Sequence, residues 1–222
     1  LLIKHDLKFG RRIAGKMHLY FTESELDSAR SALRLKSAFG CEQIEYSGRE
    51  AAAVDANLAG VADTIAGAIF TPSEEVADSL LFCRALLTVL KQEYGVIASF
   101  GSAVRSMEIG RDLALVTLAS GEEIGADLAV VCAGSASNGL LRPHGLAVPL
   151  QPMKGYSFEM PLASRSPSIS ITDTARRIVF TNLGDRMRVA GFADVGNRDA
   201  SVDREVSAAL VAAARRSLPE AG

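Results

Sequence analysis

The spacing of apolar and polar positions changes several times along the chain, and each change marks an element. Thr22-Glu23-Ser24-Glu25 has the form of a capping box, with Thr22 as N-cap and Glu25 reaching back to it. Leu26, Ala29, Ala32 and Leu33 then fall on one side of a helix that Gly40 is suited to stop. Ser47-Gly48-Arg49-Glu50 is a second capping box and opens a short helix to about Val54. Residues 55–66 read as a loop, followed by a brief strand at Ala68-Ile69-Phe70. The clearest helix runs from Ser79 to Tyr94, with Asp78 as its N-cap and Gly95 as its stop. Leu80, Cys83, Leu87, Leu90 and Tyr94 recur there at steps of three or four, a stripe wide enough to pack on a core.

Elsewhere the pattern is that of strands. Residues 16–21, 96–100, 103–109 and 113–118 predict short ones. Leu128-Ala129-Val130-Val131-Cys132 is too short for a helix and too continuous for a half-wet strand, so 127–132 predicts a central strand buried on both faces. It ends in Ala133-Gly134-Ser135, where small side chains let a ligand approach the backbone at the carboxyl end of a strand. The same residues also suit a buried strand followed by an ordinary glycine turn. Beyond Gly139, prolines at 143, 149, 152 and 161 punctuate strands, and Tyr156 to Met160 alternates. Arg177 to Thr181 and Arg186 to Phe192 predict a hairpin joined through Asn182-Leu183-Gly184-Asp185. A last helix, about Ser201 to Leu218, carries Val202, Val206, Leu210 and Ala213 along one face. The sum is an α/β chain in three parts. Residues 65–146 are expected to belong to a Rossmann-like nucleotide-binding sheet, and residues 1–64 and 147–222 to an α+β domain of antiparallel strands.

Composition narrows the function classes. With 24 Lys and Arg against 26 Asp and Glu, and no basic cluster, the 222 residues carry no nucleic-acid footprint. No apolar run approaches the roughly 18 residues that span a bilayer. Cys41, Cys83 and Cys132 stand far apart, two of them in apolar segments, which suits buried thiols in a reducing compartment better than a disulfide or a metal site. His5, His18 and His144 have no metal-ligand spacing, so no metal is expected. No Gly-x-Ser-x-Gly elbow, Walker loop or Gly-x-Gly-x-x-Gly turn occurs, and no catalytic residue is assigned. The chain opens Leu-Leu-Ile-Lys-His and closes at the end of a predicted helix. It is therefore expected to be an internal portion of a longer protein, with any phosphate-binding turn upstream.

Several segments follow one another in a recognisable order: Gly67-Ala68-Ile69-Phe70, the Asp78-capped helix, Tyr94-Gly95-Val96, Val104 and Ala126 to Ser135. Pro149-Leu150-Gln151-Pro152-Met153-Lys154-Gly155-Tyr156-Ser157 and Arg186-Met187-Arg188-Val189-Ala190-Gly191-Phe192-Ala193-Asp194 complete it. In this order the chain resembles the interior of the FAD-dependent D-amino acid oxidase superfamily, and within it the small-subunit type of bacterial D-amino acid dehydrogenase. The resemblance implies FAD as cofactor, with Val104 at its adenine end and Ala133, Gly134 and Ser135 along its phosphates and ribitol. Lys154-Gly155-Tyr156 would enter the substrate domain beside the isoalloxazine ring, with Gly155 bordering the cofactor. Tyr156, Ile178 and Phe180 would line the substrate cavity. Taken as residues alone, Val104 equally suits a core strand, Tyr156 a half-buried strand aromatic and Lys154 a solvated charge.

The implied reaction is oxidative deamination of a D-amino acid: hydride passes to the flavin, and the imine hydrolyses to a 2-oxo acid and ammonia. A quinone or another acceptor would take the electrons, which implies a cytoplasmic protein with peripheral association at the inner membrane. Two family landmarks are missing here: the N-terminal glycine turn, and the C-terminal tryptophan-glycine and arginine-proline segment that, by the resemblance, completes the flavin site and supplies an arginine for the substrate's carboxylate. The 222 residues alone are therefore expected to be inactive. Alternatives are a sarcosine, glycine or hydroxyproline oxidase of the same superfamily, and an inactive fragment that binds no FAD.

Overall fold

The computed structural model describes residues 2–111, 113–219 and 221. In chain order the elements begin with α1 (Leu2–His5), β1 (Arg12–Ile13), β2 (Lys16–Tyr20), α2 (Glu23–Ala38), β3 (Ile44–Tyr46) and α3 (Gly48–Val54). β4 (Gly67–Thr71), β5 (Glu75–Val76), α4 (Ser79–Tyr94), β6 (Val104–Ile109), β7 (Ala114–Leu118) and β8 (Glu123–Ala126) follow. α5 (Ser137–Leu141), β9 (Met153–Pro161), β10 (Ser170–Asp173), β11 (Ile178–Asn182), β12 (Arg186–Val195) and α6 (Arg204–Ser217) complete the chain. Two compact units result, one from residues 1–89, 155–194 and 200–222, the other from 90–154 and 195–199.

The larger unit is built on a seven-stranded sheet in the order β3-β4-β2-β10-β11-β12-β9. The pairs given by register are antiparallel except β2 with β10, which run parallel from Lys16 beside Ser170 to Leu19 beside Asp173. Strand alternation sorts the side chains by face. Met17, Leu19, Ala68, Ile171, Ile178, Phe180, Met187 and Val189 form the buried face. Ala51 of α3, Leu58 of the 3-10 turn Ala56–Val61, and Leu210, Ala213 and Ala214 of α6 join them in one core. Gly191 is required for that closeness: a Cβ there would lie 3.0 Å from Leu210 Cδ1 and 3.1 Å from the Arg177 carbonyl. On the opposite face α2 covers only the β3–β4–β2 end. Its Leu26 packs where a Cβ on Gly67 would come within 2.7 Å. The open remainder of that face carries Val179, Thr181, Arg188 and Ala190, paired across β11 and β12.

The caps form as the sequence requires. Thr22 Oγ1 accepts from the Glu25 N–H, although Glu25 reaches back to the Phe21 N–H rather than to that of Thr22. Ser47 and Glu50 complete both halves of their box. Asp78 caps α4 by accepting from the N–H groups of Leu80 and Leu81. The predicted hairpin closes between Asn182 and Arg186, with Gly184 at φ +101°.

The smaller unit contains the antiparallel meander β6-β7-β8 and α5. Met107, Ala114, Thr117, Leu118 and Ser137 are buried in it, and the His144 ring bonds to the Met107 carbonyl at 2.7 Å.

Several expectations are corrected. Residues 127–132 form no strand, and Leu128 and Val130 are each 77% exposed. A strand's two faces are covered only when paired neighbours carry other elements over them, and no described strand pairs with this run. The α4 stripe is open for the same reason, with no buried residue along the helix. Cys83 and Cys132 are exposed thiols rather than buried ones, and Cys41 is half-buried. Residues 96–100 form no strand, and Ala56–Val61 is a 3-10 turn rather than loop. The boundary expected at residue 65 also moves, because β4 pairs with β2 and β3 in the large sheet.

Candidate functional site

Two clefts open on the uncovered sheet face of the larger unit and meet at Arg188 and Ala190, which line both. The larger, of about 730 Å3, is lined by Tyr156, Ser157, Val179, Arg177, Arg188 and Asp194 among others. The smaller, of about 440 Å3, reaches past Thr181 and Arg186 to the start of α4. Backbone outliers frame the first. Arg177 at φ +57° turns β10 into β11, and Phe192 at φ +58° bends β12 beside Gly191. Left-handed non-glycine residues are held there only where packing over-determines them. The Tyr156 hydroxyl donates to Asp194 Oδ2 at 2.7 Å and so ties β9 to the end of β12.

The arginines of this face differ in what they meet. Arg186 reaches Asp78, Glu159 and Asp185. Those carboxylates, Asp78 first, raise its pKa further above the ordinary arginine value. Asp78 is held below the ordinary carboxylate range, first by the Leu81 N–H and next by the Arg186 guanidinium. Arg176 pairs with Asp173, which is buried and also accepts from Ser217 Oγ at 2.6 Å. Arg188 meets no carboxylate among the described residues. Its bond is to the neutral hydroxyl of Ser157, at 3.3 Å. At the other end of the sheet His18 is held below its ordinary pKa, chiefly by burial and then by the charges of Lys16 and Lys36.

The residues predicted for the site scatter. Gly155 and Tyr156 line the larger cleft. Ile178 and Phe180 do not; at 0% and 1% exposure they belong to the core on the other face. Between them on β11, Val179 is the residue that faces the cleft. Val104, Ala133, Gly134 and Ser135 are exposed in the smaller unit. Gly134 stands at φ +54° with no atom within 4 Å of the place a Cβ would take. That geometry admits close backbone approach by a nucleotide. It does not hold a pyrophosphate, because no Gly-x-Gly-x-x-Gly turn occurs in the 222 residues. The described residues contain no cluster suited to a metal ion and no helix long and apolar enough to cross a membrane. Arg177 and Arg188 were not among the predicted site residues. For Arg188 the alternation Arg186-Met187-Arg188-Val189 was the signal, since it sets both arginines of β12 on the face opposite its buried residues; Arg177, in the turn before β11, lies outside that alternation.

Comparison with known proteins agrees with this architecture. The family profile described as "FAD dependent oxidoreductase" (DAO) matches residues 1–222. "D-amino acid dehydrogenase 2" of Ralstonia nicotianae is 38% identical over 197 residues, covering 86% of this chain and 46% of the relative. "D-amino acid dehydrogenase" of Vibrio atlanticus is 29% identical, covering 100% of this chain and 54% of the relative. The chain thus spans about half the length of the curated relatives it matches. Among solved structures, glycine oxidase from Geobacillus kaustophilus superposes with a TM-score of 0.87 at 16% identity, over 98% of this chain and 58% of the other. At that identity the likeness is one of fold.

Proposed function

The chain belongs to the DAO family of FAD dependent oxidoreductases, and on that premise we propose that its seven-stranded sheet is the substrate-binding side of a D-amino acid dehydrogenase. The activity belongs to a protein that also carries the dinucleotide-anchoring turn. The observation that carries the reading is the one sheet face left open, where two clefts meet beside guanidinium groups. A cationic, partly apolar cleft suits a small anionic substrate. Relatives named D-amino acid dehydrogenase favour an amino acid as that substrate.

Bound FAD supplies the two-electron oxidant, and the chain's own residues orient the substrate. The cleft guanidiniums attract the carboxylate, Val179 and Ala190 give the side chain an apolar floor, and Asp194 offers the ammonium an anionic point. Gly155 and Tyr156 border the cleft. Val104 and Ala133 to Ser135 give a nucleotide its backbone border and not its charge anchor. The relatives' name supports an acceptor other than oxygen, such as a quinone met by a cytoplasmic protein at the inner membrane.

The test compares this chain with the full-length protein, by FAD titration and by turnover of D-alanine with an artificial acceptor. The 222 residues should bind FAD weakly and turn nothing over, and the full-length protein should do both. Turnover of glycine, sarcosine or hydroxyproline in place of D-alanine would replace the reading with that of an oxidase of the same superfamily. A full-length protein without flavin absorbance would refute it. Tight FAD binding by the 222 residues would show the cofactor border to be misplaced.

A further inference from the structure

We propose that Ala190 determines which D-amino acids the site accepts: its methyl leaves a passage by which the substrate's side chain runs from the larger cleft into the smaller. The class it selects is D-amino acids with an unbranched side chain ending in a neutral hydrogen-bonding group, such as D-glutamine. The inference rests on the D-amino acid reading above and adds to it the direction of the substrate and what its far end meets.

Three observations carry it. The first is the shape of the sheet face. β12 presents Arg186, Arg188 and Ala190 there, and only the last is small. Arg188 and Ala190 line both clefts, but Arg188 reaches sideways to Ser157 Oγ on β9, away from β11. Between the clefts lies a floor of Ala190 and its cross-strand partner Val179, followed by Thr181. The second is reach. The reading above seats the substrate's ammonium at Asp194, which lines the larger cleft and not the smaller. A side chain that crosses Ala190 then arrives at Thr181. From Val179 to Thr181 is one alternate step along β11, about 6.7 Å, or about five bonds of an extended chain at about 1.2 Å each. A side chain the length of glutamine's spans most of that distance and a hydrogen bond spans the rest. The third is charge. Asp78, Glu159, Arg186 and Arg188 line the smaller cleft, two of each sign, and Arg186 already meets both carboxylates. A charged end of either sign would lie beside its own kind and lose hydration. A carboxamide offers donors to Glu159 and an acceptor to the Thr181 hydroxyl, and brings no charge to bury.

The experiment compares D-glutamine with D-alanine in the full-length flavoenzyme. The parent should show kcat/KM for D-glutamine above that for D-alanine by at least about 10-fold, the low end of what one filled pocket contact contributes. Ala190→Leu, which fills the passage, should lower that ratio by at least about 30-fold. Thr181→Val, close in shape, should lower it by about 10-fold through the lost hydrogen bond. A general loss of folding or flavin cancels in the ratio. A second measurement needs no turnover. Glutaramate, the glutamine skeleton without its amine, is titrated into methyl-labelled full-length protein and followed by NMR. It should shift the methyl resonances of both Ala190 and Thr181, whereas propanoate, the alanine counterpart, should shift Ala190 and not Thr181.

An enzyme that oxidised D-alanine but kept one ratio in the parent and both variants would overturn the inference and leave the D-amino acid reading intact. Preference for D-lysine or D-glutamate over D-glutamine would overturn the neutral end, and a Thr181 response to propanoate equal to that to glutaramate would overturn the passage. A protein that oxidised no D-amino acid while glutaramate still shifted Thr181 would support the joined clefts and refute the functional reading.

Discussion

Replacing Asp78 separates two jobs that one carboxylate performs. Its Oδ1 accepts from the Leu80 and Leu81 N–H groups at 2.8 and 3.0 Å, while its Oδ2 meets Arg186. The side chain is 6% exposed and that of Arg186 27%, so the pair is only partly screened by solvent. Asp78→Asn keeps an oxygen for the cap and removes the charge; Asp78→Ala removes both. Loss of an N-cap costs about 1 kcal/mol. A hydrogen bond to a charged group contributes about 1.5–3 kcal/mol, which is discounted here because Arg186 keeps Glu159 and Asp185. The expected destabilisation is then about 1 kcal/mol for Asp78→Asn and about 2–3 kcal/mol for Asp78→Ala. Urea unfolding followed by far-UV circular dichroism would show the alanine variant losing about 1 M in midpoint for a slope near 2 kcal/mol/M. The pH dependence follows from the depressed carboxyl. A folded pKa below the ordinary 3.8 gives stability that is complete above that value and is lost as pH falls through the folded one. The gap between parent and Asp78→Asn should thus be constant from neutral pH to about 5 and should close below about 4. Equal losses for the two variants, or a gap indifferent to acid, would refute this division of labour.

Two further outcomes are expected from the same physics. Phe180→Ala should destabilise by about 3–5 kcal/mol, and Val179→Ala, one residue earlier and on the cleft, by less than 1.5 kcal/mol; paired urea titrations would show the contrast. His18 is held below its ordinary pKa, so protonating it opposes folding, and stability should fall as pH drops below about 6.5 until the folded pKa is reached. His18→Gln should flatten that slope, and an unchanged slope would clear His18 of it.

Much of the architecture was legible because local rules and tertiary packing agreed. The Thr22 cap, the Ser47 box, the Asp78 cap and the Gly184 hairpin each satisfy backbone groups with nearby side chains or turn geometry, which a sequence displays directly. The errors share another cause. An apolar run states that a segment favours cover, not that the residues at hand supply it. Leu128 to Cys132 and the α4 stripe have the pattern of buried elements and are open in this chain. Ile178 and Phe180 were misplaced for a related reason. Alternation along β11 separates Phe180 from Val179 but does not say which face a helix will cover. That was decided by α6, whose Leu210, Ala213 and Ala214 close over the Ile178–Phe180 side. The cleft was thereby left to Val179 and Arg188.

The parallel pairing of β2 with β10 has a consequence for how the chain reaches this state. Lys16 and Ser170 are roughly 150 residues apart, so the pairing closes a very long loop. During synthesis β3, β4 and β2 can pair among themselves while the other side of β2 waits as an open edge, with Met17 and Leu19 lacking their partner Ile171. Only when β10 has left the ribosome can the sheet join across its middle, and only when α6 follows is its buried face covered. Such an order favours a populated intermediate and slow, late commitment, with an aggregation-prone edge exposed in the interval. Expression at low temperature or with chaperones should therefore raise the yield of folded chain more than lengthening its surface loops would.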